Sequence, residues 1–296
     1  MKRIIECVPN FSEGRRKEII DQIVEALASL EKVRVLDVQS DADHNRSVVT
    51  LVGEPEAVEE AAFRGIERAA RLIDMDQHQG EHPRMGATDV VPFVPITGVT
   101  MADCVEMARR LGERVGRELS VPVYLYEEAA TRPERRNLAD VRRGEYEGLK
   151  VEIESDTNRA PDFGPARMGK AGATAIGARP PLVAFNVYLN TDDVATAKAI
   201  ARAVRHSSGG LRYVKALGLQ VEGRAQVSMN LTDYRRTPIH RVVEMIRREA
   251  ARYGVTIASS EVVGLVPNEA LVDAARFYLQ LDGFSSDQIL ENRLAE

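Results

Sequence analysis

The apolar positions of residues 1–126 alternate between short β-branched runs and stripes with helical spacing. This alternation predicts strands and helices in turn, and Pro55 is well placed to open a helix. The order of strand, helix, two strands, helix and strand is that of the ferredoxin-like βαββαβ unit. The predicted segments are strand 4–9, helix 18–30, strands 33–38 and 47–52, a helix from Pro55 with an apolar stripe to Ile73, strand 90–94, helix 102–119 with Thr100 as N-cap, and strand 121–126.

The same order of elements returns after residue 181, without a repeat at the level of single residues. We therefore predict an α/β (α+β) fold of two ferredoxin-like βαββαβ subdomains, with boundaries at 1–180 and 181–296. The segment 132–181 has little periodicity, and we expect it to line a ligand channel between them. The later segments are strand 182–189, a helix to Val204 capped by Thr191, strands 213–221 and 224–231, helix 238–253 begun by Thr237 and Pro238, and strand 255–262.

The composition narrows the class of protein. A net charge of −5, with 5% aromatic residues and no tryptophan, disfavours a nucleic-acid partner. The two cysteines, Cys7 and Cys104, form neither a disulfide framework nor a CxxC metal motif. The N-terminus lacks the pattern of a secretory signal, and no apolar run is long enough to span a membrane. We expect a soluble cytoplasmic protein with no membrane partner.

Residues 80–89, GEHPRMGATD, hold the densest set of reactive side chains in the chain. A histidine before proline favours extended backbone, so His82 is expected on a shaped loop that leads into the apolar strand 90–94. The alternative is an ordinary surface turn. General acid–base work near neutral pH suits a histidine, and Asp89 is a candidate for orienting its imidazolium. Arg84 is a candidate for binding a substrate carboxylate.

Two other kinds of site are disfavoured. His78 and His82 are four residues apart, but Gly80 and Pro83 oppose the helix that would place both on one face, and no third metal ligand is near. We therefore expect no metal. The segment 172–177 has the outer glycines of a phosphate loop but lacks its Lys and Ser or Thr.

Several polar residues remain open to two interpretations. The loop that contains Asn10 either caps the following helix through Ser12 or places the Asn10 amide near His82. Asn186 and Asn230 fall in apolar strands and are either buried structural links or point into the cleft. The Arg142–Arg143 pair is either a solvated surface or a site for an acidic ligand.

Five blocks of sequence together resemble the formiminotransferase family, over essentially the whole chain. Known members transfer the formimino group of N-formimino-L-glutamate to N5 of tetrahydrofolate in histidine degradation. The resemblance implies a folate-dependent one-carbon transferase, in the single-domain form of the family that lacks cyclodeaminase. It also implies a homodimer, tetrahydrofolate as the co-substrate, and no partners other than small molecules. Its two subdomains would hold folate in a channel between them. The blocks are residues 6–14, 80–89, 121–126, 161–165 and 264–267.

By the same resemblance His82 matches the catalytic histidine of the family, and residues 163–173 match its folate-binding segment. We expect the remaining polar and glycine positions of these blocks and strands to bind folate or substrate. The expected binding residues are Asn10, Asn45, Arg46, Arg84, Gly86, Phe163, Gly164, Pro165, Gly172, Ala173, Arg179, Asn186 and Asn230.

One position departs from the family pattern, because the resemblance implies a carboxylate where Gln39 stands. Asp41 or Asp43 is a candidate substitute. This departure leaves a formyltransferase that links 5-formyltetrahydrofolate and glutamate as the alternative function. A noncatalytic folate-binding protein is the second alternative.

Overall fold

The computed structural model describes residues 3–294 and confirms the mixed α/β class, with two separate β-sheets. The chain divides between Pro180 and Pro181 into two compact units, each with its own apolar core. Among residues 3–294, no helix combines the length and the apolar character needed to cross a membrane.

In the first unit, the three long helices pack together and against a seven-stranded sheet. Its strands are β1 (Ile4–Cys7), β2 (Asn10–Phe11), β3 (Val33–Asp41), β4 (Arg46–Gly53), β5 (Thr88–Thr97), β6 (Val123–Glu127) and β7 (Thr174–Ala178). Its helices are α1 (Lys17–Leu27), α2 (Pro55–Leu72), α3 (Met101–Leu119), α4 (Leu138–Val141) and α5 (Glu145–Glu152), with 3-10 turns at Pro133–Arg135 and Thr157–Arg159.

The sheet of the first unit is a ferredoxin-like core with two added strands. β1 and β2 act as one interrupted strand that lies antiparallel between β4 and β5, and β3 lies outside β4. β7 then pairs parallel with β5, and β6 pairs parallel with β7. The segment 174–178 was expected to be irregular, and this expectation is wrong. All five residues of β7 are buried, so the strand lacks the alternation that marks a strand with one solvated face.

The helices of this unit form because their apolar positions recur every three or four residues. In α1 the buried residues are Ile19, Ile20, Ile23 and Leu27, which share one face. α3 begins with the expected N-cap: Thr100 accepts from the Asp103 N–H, and the Asp103 side chain accepts from the Thr100 N–H.

The second unit is a four-stranded antiparallel sheet in the order β11, β8, β10, β9, which is again ferredoxin-like. Its strands are β8 (Val183–Leu189), β9 (Val214–Val221), β10 (Arg224–Leu231) and β11 (Ile257–Val263). Its helices are α6 (Val194–Val204), α7 (Ile239–Ala251), α8 (Asn268–Leu279) and α9 (Leu290–Leu294), with 3-10 turns at His206–Ser208 and Ser286–Gln288.

Two helix starts in this unit differ from the prediction. Asp193, not Thr191, caps α6, because its carboxylate accepts from the backbone N–H groups of residues 195 and 196. α7 begins at Ile239 without a side-chain cap, since the Thr237 hydroxyl donates to the Arg212 carbonyl at 2.5 Å instead.

Candidate active site

The His82 loop is tied to the segment that opens β7. Gly86 pairs with Gly172 in an isolated bridge, the Ala87 N–H donates to the Ala171 carbonyl at 2.8 Å, and the Ala173 N–H donates to the Met85 carbonyl at 3.0 Å. The structure therefore brings part of the expected folate segment, Gly172 and Ala173, beside the loop of the expected catalytic histidine. Both lie at the amino-terminal ends of β5 and β7.

Glycine is required at both ends of this contact. A Cβ on Gly86 would lie 2.2 Å from the Ala173 carbonyl oxygen, and one on Gly172 would lie 2.3 Å from that of Met85. Gly172 also has φ of +71°, a conformation that side chains disfavour. The two backbone segments can approach this closely only without side chains.

His82 contacts an arginine from another strand of the same sheet. Arg46, the first residue of β4, places Nη1 2.5 Å from His82 Nε2, and its Nη2 donates to Asn10 Oδ1. Asn10 on β2 is itself held by donation from its Nδ2 to the Val8 carbonyl at 2.8 Å. Asn10, Arg46 and His82, which are far apart in sequence, therefore form one hydrogen-bonded row.

The contact with Arg46 determines the state of the imidazole. Arginine only donates, so His82 Nε2 is the acceptor and the neutral ring carries its proton on Nδ1. Burial, and next the charges of Arg46 and Arg142, lower the pKa of His82 from 6.5 to about 2. Burial also lowers the pKa of Arg46 to about 10. His82 is thus a neutral base at physiological pH, with its lone pair directed at a cation.

Asp89 contacts a different arginine from the one that touches His82. Its Oδ1 accepts from the Met85 N–H at 3.0 Å, and its Oδ2 forms an ion pair with Arg142, just after α4. Among the described residues, Asp89 makes no hydrogen bond to His82, so the direct orienting contact that we expected is not formed. Both Asp89 oxygens are already engaged.

Arg84 is buried and is neutralised by the protein itself. Its guanidinium lies 2.6 Å from a Glu147 oxygen and 3.0 Å from a Glu145 oxygen, at the start of α5. Its Nε donates to His78 Nδ1 at 3.3 Å. These contacts attach the His82 loop to α5. The predicted binding of a substrate carboxylate by Arg84 would have to compete with two glutamates.

Asn45 joins the loops around the site through its amide. The side chain accepts from the Gly14 N–H and donates to the Gln79 carbonyl, both at 2.9 Å. Its backbone carbonyl also contacts His78 Nε2 at 2.9 Å, and its φ is +48°. Both side-chain groups of Asn45 are therefore used to hold loops.

One of the two interpretations of the Asn10 loop was that Ser12 caps the following helix. The structure contradicts this interpretation. The Ser12 hydroxyl donates to the Gly86 carbonyl at 2.8 Å, while Arg16 occupies the N-cap of α1 without a side-chain cap. Glu13 accepts from the Arg15 and Arg16 N–H groups. Ser12 therefore connects the Asn10 loop to the His82 loop.

The expected folate residues at 163–165 lie against α3. A Cβ on Gly112 would lie 3.1 Å from the Phe163 ring, and one on Gly116 would lie 2.5 Å from the Gly164 nitrogen. Gly164 and Pro165 are exposed. Helix α3 carries glycines at these two positions, which lets the 163–165 segment pack closely on it.

Arg179, an expected binding residue of the first unit, is not brought to His82, and two others belong to the second unit. Arg179 follows the carboxyl end of β7, where its N–H donates to the Phe93 carbonyl, whereas the His82 loop enters the opposite end of β5. Asn186 and Asn230 belong to the second unit. Asn186 is half-buried and donates to Glu261 at 3.3 Å, and Asn230 is exposed. Neither is a buried structural link, because both lie on the sheet face that α6 and α7 leave open.

The side chains around His82 line a small concavity that their own atoms closely fill. Four of the lining residues, Phe11, Ser12, His44 and His78, were not assigned to the site. The His44 ring lies 6.2 Å from that of His82, edge to face. Arg142, from a basic pair whose role was left open, acts on His82 through its charge. The residues that line the concavity are Phe11, Ser12, His44, Asn45, Arg46, His78, His82, Arg84 and Asp89.

Gln39 shares a sheet face with this site. Gln39 on β3 pairs with Val48 on β4, which also pairs with Asn10 on β2. Paired residues of antiparallel strands lie on the same face, so the side chains of Gln39, Asn10 and Arg46 project to one side. Asp41, a proposed substitute for the missing carboxylate, is bound to His44 Nδ1 at 2.8 Å.

The described residues 3–294 contain no group of three His, Cys, Asp or Glu side chains placed to hold a metal ion.

Comparison with known proteins decides the family. Residues 4–179 match the model of the formiminotransferase domain, N-terminal subdomain, and residues 184–293 match that of the formiminotransferase domain. The chain belongs to the formiminotransferase family. A glutamate formimidoyltransferase of Thermoplasma acidophilum is 53% identical, over 98% of this chain and 97% of the relative.

Further members of the formiminotransferase family show how the chain compares in length. The glutamate formimidoyltransferase of Streptococcus pyogenes is 50% identical, over 99% of both chains. The formimidoyltransferase-cyclodeaminase of Mus musculus is 45% identical, over 94% of this chain but 53% of its own length.

Proposed function

We propose that this chain is a glutamate formimidoyltransferase, which moves the formimino group of N-formimino-L-glutamate to N5 of tetrahydrofolate. The observation that carries the proposal is the neutral imidazole of His82, held in a polar concavity by Arg46 at 2.5 Å. The names of two relatives that match almost end to end support the same reaction.

The reaction needs one proton to move between two nitrogens. N5 of tetrahydrofolate attacks the amidine carbon, which forms a C–N bond and a tetrahedral centre. N5 must then lose its proton, and the glutamate nitrogen must gain one before its C–N bond breaks. A neutral His82 accepts the first proton on Nε2 and returns it to the leaving nitrogen. General acid–base catalysis of this kind contributes about 10² to 10⁴ in rate, and positioning of the two substrates contributes further.

Tetrahydrofolate enters this proposal as a second substrate, with no resident metal. We propose that residues 163–173 contact it. The proximity of Gly172 and Ala173 to the His82 loop supports this assignment, because N5 must reach the imidazole. Asp89 belongs to the same proposal as a positioning residue that acts through Arg142. Arg84, which is paired with Glu145 and Glu147, belongs to it as a residue that holds the His82 loop.

The test is an absorbance assay of the purified protein with tetrahydrofolate and either N-formimino-L-glutamate or N-formyl-L-glutamate. We expect the 5-formimino product from the first donor, and its loss in His82→Ala. Preference for the formyl donor would favour the formyltransferase alternative. Folate binding without turnover of either donor would favour a binding protein, and full activity of His82→Ala would refute the role of His82.

We also propose that the protein acts in the cytoplasm, in histidine degradation, as a homodimer. Leu36 and Val38 on the outer strand β3 are 41% and 40% exposed, which supports a paired surface there. Cys7 and Cys104 are buried free thiols, as suits a reducing compartment. Light scattering of the purified chain and of Val38→Glu tests the dimer.

A further inference from the structure

Arg46 is a half-buried cation whose hydrogen-bond partners are neutral. Its Nη1 and Nη2 bind His82 and Asn10, and its Nε is buried without a hydrogen-bond partner. Within residues 3–294, no carboxylate lies within ion-pair distance of Arg46. A charge that is partly withdrawn from water without an ion-pair partner is costly, so this position favours an incoming anion.

The other two arginines around His82 differ from Arg46 in this respect. Arg84 is paired with Glu145 and Glu147, and Arg142 is paired with Asp89. Their charges are already balanced inside the protein. Asp89 and Asp41 act on Arg46 only at longer range. Among these three guanidinium groups, Arg46 is therefore the one that has no ion-pair partner in the described part of the chain.

The concavity is closely filled by its own side chains while Arg46 contacts His82. A carboxylate can enter it only when the Arg46 guanidinium moves off His82. It then presents two oxygens to a guanidinium fork, the geometry of the strongest charge-assisted hydrogen bonds.

The contact between Arg46 and His82 also blocks the base. The guanidinium of Arg46 lies on the Nε2 lone pair, which is the atom that must accept a proton in the proposed reaction. We propose that Arg46 is a positioning residue that receives a carboxylate of the glutamyl substrate, and that this binding withdraws its guanidinium from His82 Nε2. The inference rests on the proposed function and adds an order to it, in which the base is released only after the carboxylate is bound.

The charges that face His82 from each neighbouring element determine whether a bound carboxylate raises or lowers the pKa of His82. Arg46 on β4, Arg142 after α4 and His44 before β4 all oppose protonation of the ring. Asp89 pairs with Arg142, and Asp41 pairs with His44. A bound carboxylate adds negative charge beside Arg46 and removes a hydrogen bond that only the neutral ring can accept. Both changes raise the pKa of His82 from about 2 toward 6.5.

The first measurement is an NMR titration of the His82 ring nitrogens in the full chain, assigned by comparison with His82→Gln. The probe is N-acetyl-L-glutamate, which has both carboxylates of the donor but no formimino group. We expect the titration midpoint of His82 to rise by about one pH unit or more in saturating probe. Arg46→Gln should weaken probe binding about 10-fold to 100-fold and abolish the probe-dependent part of the shift.

Arg143→Gln is the matched control, because Arg143 is next to Arg142 but has a 77% exposed side chain. It should bind the probe and shift His82 as the unmodified chain does. A second arm with 5-methyltetrahydrofolate distinguishes the glutamyl tail of the folate as the source of the carboxylate. If that compound shifts His82 while N-acetyl-L-glutamate does not, the assignment to the donor is overturned.

The inference and the proposed function can fail separately. Tight binding of N-acetyl-L-glutamate without any movement of the His82 midpoint would overturn the inference, even in a chain that transfers the formimino group. A probe-dependent shift that requires Arg46, in a chain that does not transfer the formimino group, would support the carboxylate site and refute the proposed function. In an active enzyme, Arg46→Gln should raise KM for the donor more than it changes KM for tetrahydrofolate.

Discussion

Asp89 at the start of β5 and Arg142 after α4 form a buried ion pair across 53 residues of sequence. The Asp89 side chain is 3% exposed and that of Arg142 is 15% exposed. The pair attaches the segment between β6 and β7 to the strand that follows the His82 loop, so it stabilises the site from outside the reacting atoms.

We expect Asp89→Asn to destabilise the fold, because it leaves the Arg142 charge buried without a partner. Loss of one member of a buried pair costs about 3–5 kcal/mol, measurable as a lower free energy of unfolding in urea. The control is Asp21→Asn, which breaks the exposed pair with Lys17 and should cost less than about 0.5 kcal/mol. Equal effects of the two variants would show that the Asp89 pair is not specially stabilising.

The Gly86–Gly172 contact predicts a second effect on stability. Gly86→Ala would place a methyl group 2.2 Å from the Ala173 carbonyl oxygen, so the His82 loop and the start of β7 must move apart. We expect a loss of about 1–3 kcal/mol of stability and a fall in kcat. Gly169→Ala is the control, since nothing lies within 4 Å of its Cβ position. Its unfolding curve should match that of the unmodified chain.

The depressed pKa of His82 predicts acid destabilisation. The unfolded chain binds a proton at His82 near pH 6.5, but the folded chain does so only near pH 2. The stabilisation is therefore complete above pH 6.5 and is lost as the pH falls toward 2, by at most about 1.4 kcal/mol per pH unit. Urea unfolding of the unmodified chain and of His82→Gln, at several pH values between about 7 and about 4, measures this difference. This range covers the first part of the predicted loss of stability. Curves that stay parallel over this range would contradict the burial of a neutral imidazole.

Arg84 and Arg46 should respond differently to the same substitution. Arg84→Gln leaves Glu145 and Glu147 without their cation and loosens the His82 loop from α5. We expect lower thermal stability and lower kcat, with a smaller change in KM for the donor than Arg46→Gln causes. Steady-state kinetics of both variants decide this. A large rise in KM for Arg84→Gln alone would assign the substrate carboxylate to Arg84.

Gln39 offers a test of donor choice. An amidine is protonated at neutral pH, whereas a formamide is not, so a carboxylate on the face shared by Gln39, Asn10 and Arg46 should favour the formimino donor. We expect Gln39→Glu to raise the ratio of kcat/KM for formimino over formyl donors by about 10-fold, as for one charge-assisted contact. Gln220→Glu, on β9 of the second unit, is the control and should leave the ratio unchanged.

Much of the fold follows from local patterns. The helical stripe of α1 and the alternating strands of the second unit are buried as their periodicity predicts. The His–Pro step and the glycines of residues 80–89 also predicted a shaped loop, and Gly86 is glycine because backbone from another segment lies against it.

The contacts that define the site depend on pairing between distant segments, which periodicity does not encode. β7 is too short and too fully buried to show alternation, yet its place beside β5 brings Gly172 to Gly86. The same topology places Asp89 against Arg142 and His82 against Arg46. Local sequence thus specifies the long helices, most of the strands and the reactive loop, since backbone preference and burial act over a few residues. The tertiary structure decides which charge meets which, because an ion pair forms wherever the folded chain brings two side chains together.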